Sequence, residues 1–191
     1  MPHWLLILPV AIAFISLSNP PESQASPFKV YRKHIPYPAT VRALAEKWSK
    51  VFGIPISWIV SQAYAESRNN PLAVNPSGAT GVLQIKLIRA LDLFKWIKKS
   101  EFIKNPLVCK TLRKFKGQVQ DLYDPDLNVM LATFDLWHLR RKFGDDHDLV
   151  SAAYNQGEGR IGRALASGSP FPPRAIEYVA RVASAKKLGY L

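Results

Sequence analysis

Chemistry in this chain could be built around Glu66. It stands at what reads as a helix end, and residues 65–85 (AESRNNPLAVNPSGATGVLQI) continue as a loop rich in Asn, Pro, Ser and Gly. A helix, an irregular turn and a second helix starting near Gly81 would wrap this carboxyl in a small pocket suited to acid chemistry on a polar substrate. Gln84, Tyr154 and Asn155 are the candidate polar contacts. Side-chain amides and a tyrosine face suit the hydroxyl and N-acetyl groups of sugars, which both donate and accept hydrogen bonds. Other chemistries find no pattern to rest on. His34, His138 and His147 show no HExxH spacing, there is no GxSxG, and Gly78-Ala79-Thr80-Gly81 lacks the GK[ST] ending of a phosphate loop. Neither a metal nor another cofactor is expected. Taken singly, each candidate also has a plainer explanation: Glu66 as a solvated helix residue, Asn155 as part of a helix cap, Tyr154 as core with its hydroxyl at the rim.

The elements that must position these residues read as helices. Apolar Val41, Leu44, Ala45, Trp48, Val51 and Phe52 fall at helical spacing behind Thr40 as a cap, and Gly53 ends the segment. Ser57 can cap a second helix that runs through Glu66. Residues 86–119 carry ten Lys or Arg against Asp92 and Glu101, interleaved with Phe94, Trp96, Ile97, Phe102 and Phe115. They predict one or two basic amphipathic helices broken near Asn105-Pro106. Such a surface could grip a polymer or a membrane face, or be a solvated face over an apolar stripe. A long helix is expected over residues 126–143. Asp145, Asp146 and Asp148 sit where a following helix favours acids, and that helix stops at residues 155–159. A last helix starts at Pro172-Pro173. No repeat and no alternating strand is evident, so the expected fold is all-α, one domain.

Residues 4–17 (WLLILPVAIAFISL) are uncharged and apolar, shorter than the roughly 20 residues a bilayer span needs. Ser23-Gln24-Ala25 follows, small at the positions a signal peptidase requires. Residues 1–25 are therefore expected to be an export signal cut after Ala25, with an uncleaved anchor as the alternative, since Met1-Pro2-His3 brings no Lys or Arg. Residues 26–39, with Pro27, Pro36, Pro38, Lys29, Arg32 and Lys33, read as an extended basic leader. The 191 residues suffice for one domain of ordinary size. The net charge of +12 would concentrate polyanions of several kinds. An exported chain would not meet chromosomal DNA, which sets nucleic acid aside. A single cysteine, Cys109, excludes an intrachain disulfide.

Four motifs together resemble the family 1 lytic transglycosylases, the soluble type with a goose-lysozyme-like domain. The first is Glu66-Ser67 followed by Asn70-Pro71-x-Ala73-x-Asn75-Pro76-Ser77-Gly78-Ala79-x-Gly81-Val82-Leu83-Gln84. The others are Asp124-Pro125 with Asn128, then Ala153-Tyr154-Asn155-x-Gly157, then Pro172 followed by Tyr178-Val179. The likeness covers residues 54–85 and 124–182. It implies a catalytic domain over residues 40–191, with 86–119 as a basic insertion. It implies an exported enzyme of the periplasm or cell envelope that cleaves the β-1,4 bond between N-acetylmuramic acid and N-acetylglucosamine, leaving a 1,6-anhydro end. Glu66 would serve as acid and then base, which requires a carboxyl pKa raised by about 2 units. By resemblance, Asn75, Gln84, Ala153, Tyr154 and Asn155 would line sugar subsites, Ser67 would support the glutamate, and Tyr178 would reach in from the last helix. The partner implied is the peptidoglycan strand. A secretion or conjugation machine, and a membrane met through 86–119, are further candidates. A lysozyme-like hydrolase and a non-catalytic peptidoglycan-binding module remain the rival readings. The family's usual Gly-Leu-Met-Gln is here Gly-Val-Leu-Gln. Its Met-Pro and Thr after Gln84 are replaced by Ile85-Lys86-Leu87-Ile88, and its Glu-Thr before the last Tyr-Val by Arg174-Ala175.

Overall fold

Eight α-helices make up the described part of the chain, residues 37–187 of the computed structural model. They are α1 (Tyr37–Phe52), α2 (Ile56–Ser67), α3 (Leu87–Lys99), α4 (Pro106–Leu112), α5 (Pro125–Phe143), α6 (His147–Gln156), α7 (Glu158–Ser167) and α8 (Pro173–Lys187). Two 3-10 turns, Glu101–Lys104 and Val119–Tyr123, join α3 to α4 and α4 to α5. Among the described residues there is no strand beyond the isolated bridges Val74 to Thr80 and Thr80 to Ile85. The all-α expectation holds. No described helix is long and apolar enough to cross a membrane. The proposed signal (1–25) and most of the leader (26–36) lie outside the described residues.

Helix α5 is the centre of the fold. Eleven of its residues, from Leu127 to Leu139, are buried, including Asn128, Thr133 and Asp135. It packs on α1, α3, α4 and α6, so it has no fully solvated face and hence little amphipathic signature. Phe134 meets Phe52, Phe102 and Trp137 in an aromatic cluster with ring centroids 5.3–6.0 Å apart. A second layer is formed by α2 and α6, both packed on α8. Gln62 Nε2 donates to Ser151 Oγ at 3.0 Å and ties α2 to α6 inside it.

Several boundaries differ from the sequence expectation. Helix α1 begins at Tyr37, three residues ahead of Thr40. Pro38 is compatible with a first helical turn because no N–H is needed there. Helix α2 starts after Pro55 with no side-chain cap, so Ser57 lies within it. No helix resumes at Gly81: residues 80–85 form a tight bridged turn, and α3 begins only at Leu87. The basic stretch is two helices and a 3-10 turn, with Asn105 accepting from Leu107 N at 2.9 Å as the cap of α4. Helix α7 was not expected, because residues 155–159, with Gly157 and Gly159, read as the end of the preceding helix and no helix was expected before Pro172. Its fully buried Ile161 anchors it to the core, and tertiary packing outweighs the low glycine propensity.

Candidate active site

Glu66 is the penultimate residue of α2 and lines a cleft of about 850 Å³. The helix ends immediately after it on two non-glycine residues in the left-handed region, Arg68 (φ 53°) and Asn69 (φ 64°). Their amides close the last turn onto Tyr64 and Ala63 carbonyls, which reverses the chain and leaves Glu66 at the cleft. Burial pushes its carboxyl up from 4.5 to about 7, against the opposing influence of Tyr178 and Arg181. The negative end of the α2 dipole also disfavours the carboxylate form.

The turn after Glu66 is held from below. Asn128 of α5 is fully buried, accepts from Leu83 N at 2.9 Å and donates to the Thr80 and Leu122 carbonyls at 3.0 Å. Gly81 has φ 84°, and a Cβ there would run into Asn128 and the Leu122 carbonyl, so the turn closes only over glycine. Gln84 is itself left-handed (φ 49°). Its Nε2 donates to the carbonyls of Ala73 (3.0 Å) and Gly81 (2.9 Å), which leaves Oε1 as the amide atom still free to meet a ligand. A non-glycine residue held in this region carries backbone strain.

The structure gathers most of the expected residues. Asn75, Gln84, Ala153, Tyr154 and Asn155 all line the cleft with Glu66. Asn75 Oδ1 accepts from Ser77 N (2.9 Å), Ser77 Oγ (2.8 Å) and Ala79 N (3.0 Å), so this oxygen organises the loop and only Nδ2 is left for a ligand. Tyr154 donates to the Leu83 carbonyl at 2.8 Å, binding α6 to the turn beside Gln84. Two residues stand next to Glu66 without lining the cleft. Ser67 makes no described hydrogen bond to Glu66. Its Oγ donates to the Val82 carbonyl at 2.7 Å and accepts from Asn70 N at 3.0 Å, clamping the end of α2 to the turn. Tyr178 is fully buried behind Glu66 and does not line the cleft. Its hydroxyl favours the Glu66 carboxylate, but makes no hydrogen bond of full geometry with any described group. Burial holds both tyrosine hydroxyls well above their usual 10, so both stay protonated.

Other cleft residues were not among the expected contacts. Asp135 of α5 is 5% exposed and takes a bidentate pair from Arg89 of α3, with Nε to Oδ2 at 3.0 Å. Glu158 receives His138 Nε2 at 2.9 Å and Lys142 Nζ at 3.4 Å. Burial opposes its ionisation, but these partners and Arg89 hold its carboxyl below the ordinary value. Lys86, Arg174, Glu177 and Arg181 complete the lining. The site therefore offers Glu66, a carboxyl raised toward neutrality between amides and a tyrosine; Asp135 and Glu158 are paired with cations, although burial still pushes Asp135 up against the pull of Arg89. A group such as Glu66 can give a proton at neutral pH and take it back.

The transglycosylase SLT domain matches residues 43–175. The chain is 28% identical over 155 residues to the soluble lytic murein transglycosylase of Escherichia coli (strain K12), covering 81% of this chain and 22% of that protein. It is 29% identical over 132 residues to a peptidoglycan transglycosylase of Escherichia phage T7, covering 69% of this chain and 9% of that one. Among solved structures, an inactive mutant of the lytic transglycosylase Slt from Pseudomonas aeruginosa superposes with TM-score 0.63 at 26% identity, over 81% of this chain and 24% of that one. The 70 kDa soluble lytic transglycosylase of Escherichia coli gives TM-score 0.61 at 26% identity, over 75% and 23%. The chain thus spans about a quarter or less of the length of these relatives.

Proposed function

From the premise that this chain belongs to the transglycosylase SLT domain family, we propose that it is a peptidoglycan lytic transglycosylase. It cleaves the β-1,4 bond between N-acetylmuramic acid and N-acetylglucosamine and leaves a 1,6-anhydro-muramyl end. The observation that carries this reading is Glu66, a carboxyl that burial raises to a pKa of about 7 at an open cleft.

Glu66 enters as the acid and gives its proton to the glycosidic oxygen as the bond to the muramyl C1 breaks. The positive charge that develops at C1 is supported by the substrate's own N-acetyl oxygen. The Glu66 carboxylate then takes the proton of the C6 hydroxyl while O6 bonds to C1, so one residue acts twice and no water is consumed. A hydrolase instead needs a base to activate water. Asp135 and Glu158, two acids of the cleft, are held by Arg89 and by His138 with Lys142; the transglycosylase outcome is supported by the family match. Gln84, Asn75 and Asn155 supply amide contacts for the sugars, Ala153 and Tyr154 the wall, Ser67 the clamp on α2, and Tyr178 a polar group behind the carboxyl.

The same reading places the catalytic domain at residues 40–191 and takes residues 1–25 as an export signal, with the periplasm or cell envelope as the site of action. The exposed lysines of α3 and α4, among them Lys95, Lys98, Lys99 and Lys110, suit anionic wall polymer, a membrane face or a component of a secretion or conjugation machine. Digestion of purified sacculi followed by mass analysis tests the reaction. Anhydro-muramyl ends are expected with the native chain and none with Glu66→Gln. Reducing ends alone would make it a hydrolase, and wall clearing unchanged by Glu66→Gln would make Glu66 a bystander.

A further inference from the structure

Helix α8 brings charged residues to the cleft as well as Tyr178 to Glu66. Arg174, Glu177, Tyr178 and Arg181 stand at i, i+3, i+4 and i+7 and so share one face of α8. Tyr178 is buried, while Arg174, Glu177 and Arg181 line the cleft. The Arg181 guanidinium lies over the Tyr178 ring, 5.4 Å from its centroid. Seven residues put the two arginines about 10 Å apart along the helix. Lys86, at the start of α3, lines another wall.

These cations differ from the others nearby. Arg89 is spent on Asp135, and Lys142 and His138 on Glu158. Among the described residues, neither Arg174, Arg181 nor Lys86 makes an ion pair, although Glu177 stands between the two arginines in sequence. Arg174 also sits in the first turn of α8, where the helix dipole is unfavourable to a cation. Its placement there lacks an intrahelical reason. The cleft thus holds three unmatched cations facing the position a substrate must occupy.

We infer that Arg174 and Arg181, with Lys86, form a subsite beside Glu66 that binds a carboxylate carried by the substrate. The inference rests on the peptidoglycan reading above. Muramyl residues supply that chemistry in two ways, as the free lactyl carboxylate of a strand without peptides or as the acidic residues of a stem peptide. The guanidinium fork suits bidentate capture of either. Occupation of Arg181 also has a chemical consequence. Its charge pulls the Glu66 pKa down, so a bound carboxylate offsets that pull and keeps the acid protonated in the complex.

The test is binding, measured by calorimetry in the Glu66→Gln protein so that cleavage does not enter. Three ligands are compared: peptide-bearing glycan strands, strands stripped of peptides by an amidase, and strands whose carboxyls have been converted to amides. Adding Arg174→Gln is expected to weaken the carboxylate-bearing ligand about 10-fold, or about 1.4 kcal/mol, with Arg174→Lys partly restoring it. The amidated strands should bind both proteins alike. Loss confined to peptide-bearing strands identifies the stem peptide as the source; loss on stripped strands too identifies the lactyl group. Equal loss on amidated strands, or no loss on any strand, overturns the subsite. Failure of the native chain to cleave sacculi would overturn the proposed reaction instead, and leaves this binding comparison intact.

Discussion

Glu66 and Asp126 are both partly buried carboxylates at helix ends, and the fold treats them in opposite ways. Asp126 lies in the first turn of α5, at the positive end of a dipole. It accepts from Lys47 Nζ (2.8 Å), Trp48 Nε1 (2.9 Å) and Thr111 Oγ1 (3.2 Å), with Lys114 Nζ at 3.4 Å. Burial works to raise its pKa, but these partners outweigh it and the net direction is down. Glu66 lies at the negative end of α2, with a single tyrosine behind it and one arginine in the cleft, and its pKa rises to about 7. Desolvation acts on both, and the donors decide the sign. Asp126 thereby cross-links α1, α4 and α5, while Glu66 remains available to move a proton.

The largest effect expected from breaking this contrast is on Glu66. Glu66→Gln should lower turnover of peptidoglycan strands by about 1000-fold, within the range typical of general acid–base groups. The same variant should become more stable than the native chain at alkaline pH. Because the folded pKa is raised, the favourable protonated state is fully present below 4.5 and is lost as pH rises through about 7. Urea unfolding at pH 8 should therefore favour Glu66→Gln by about 3 kcal/mol, and at pH 4 the two proteins should be close. The native pH–rate profile should lose activity above about pH 7, where the acid is spent.

Asn128→Ala removes the frame of the turn that carries Gln84. It should cost about 2–4 kcal/mol, since the Leu83 amide and the Thr80 and Leu122 carbonyls lose their partner inside the protein, and it should raise KM. Asp126→Asn should cost about 1–2 kcal/mol at pH 7, a value kept modest because Lys47 and Lys114 reach solvent. Its pKa is depressed, so that stability is present above 3.8 and disappears as pH falls below it. Urea titrations at pH 7 and pH 3 check both points, and turnover should be little changed. The smallest change is Tyr178→Phe. Removing its hydroxyl takes away a group that favours the Glu66 carboxylate, so the alkaline limb of the pH–rate profile should move up. A downward move would mean that Tyr178 stabilises the protonated acid.

Much of this site was legible from residue order. Glu66, Gln84 and Tyr154-Asn155 stand out as polar groups at helix ends and in a Gly-rich loop, whereas Ser67, Asn75, Ala153 and Tyr178 were marked only by the family resemblance. What escaped was of two kinds. Helix α7 was hidden because its glycines carry a loop signal and only Ile161, buried by distant elements, makes it pack. The Arg89–Asp135 pair was hidden because its members are 46 residues apart, and both read as ordinary charges on amphipathic helices. Ser67 and Tyr178 were placed near the acid, but a motif cannot say that one clamps a backbone and the other is buried behind the carboxyl.

Local periodicity marked most of the helices and the apolar face of α1, because side-chain spacing along a helix depends only on neighbours in the chain. The Glu66–Gln84 stretch likewise settled which carboxyl faces a polar loop. Only the tertiary structure decided that this carboxyl holds its proton near neutrality. Desolvation is set by the packing of α8 on α2, and only Tyr178 and Arg181 act on the carboxyl to favour its charged form. It likewise decided that Arg174 and Arg181 face the cleft unmatched, since α8 reaches Glu66 only through its packing on α2 and α6.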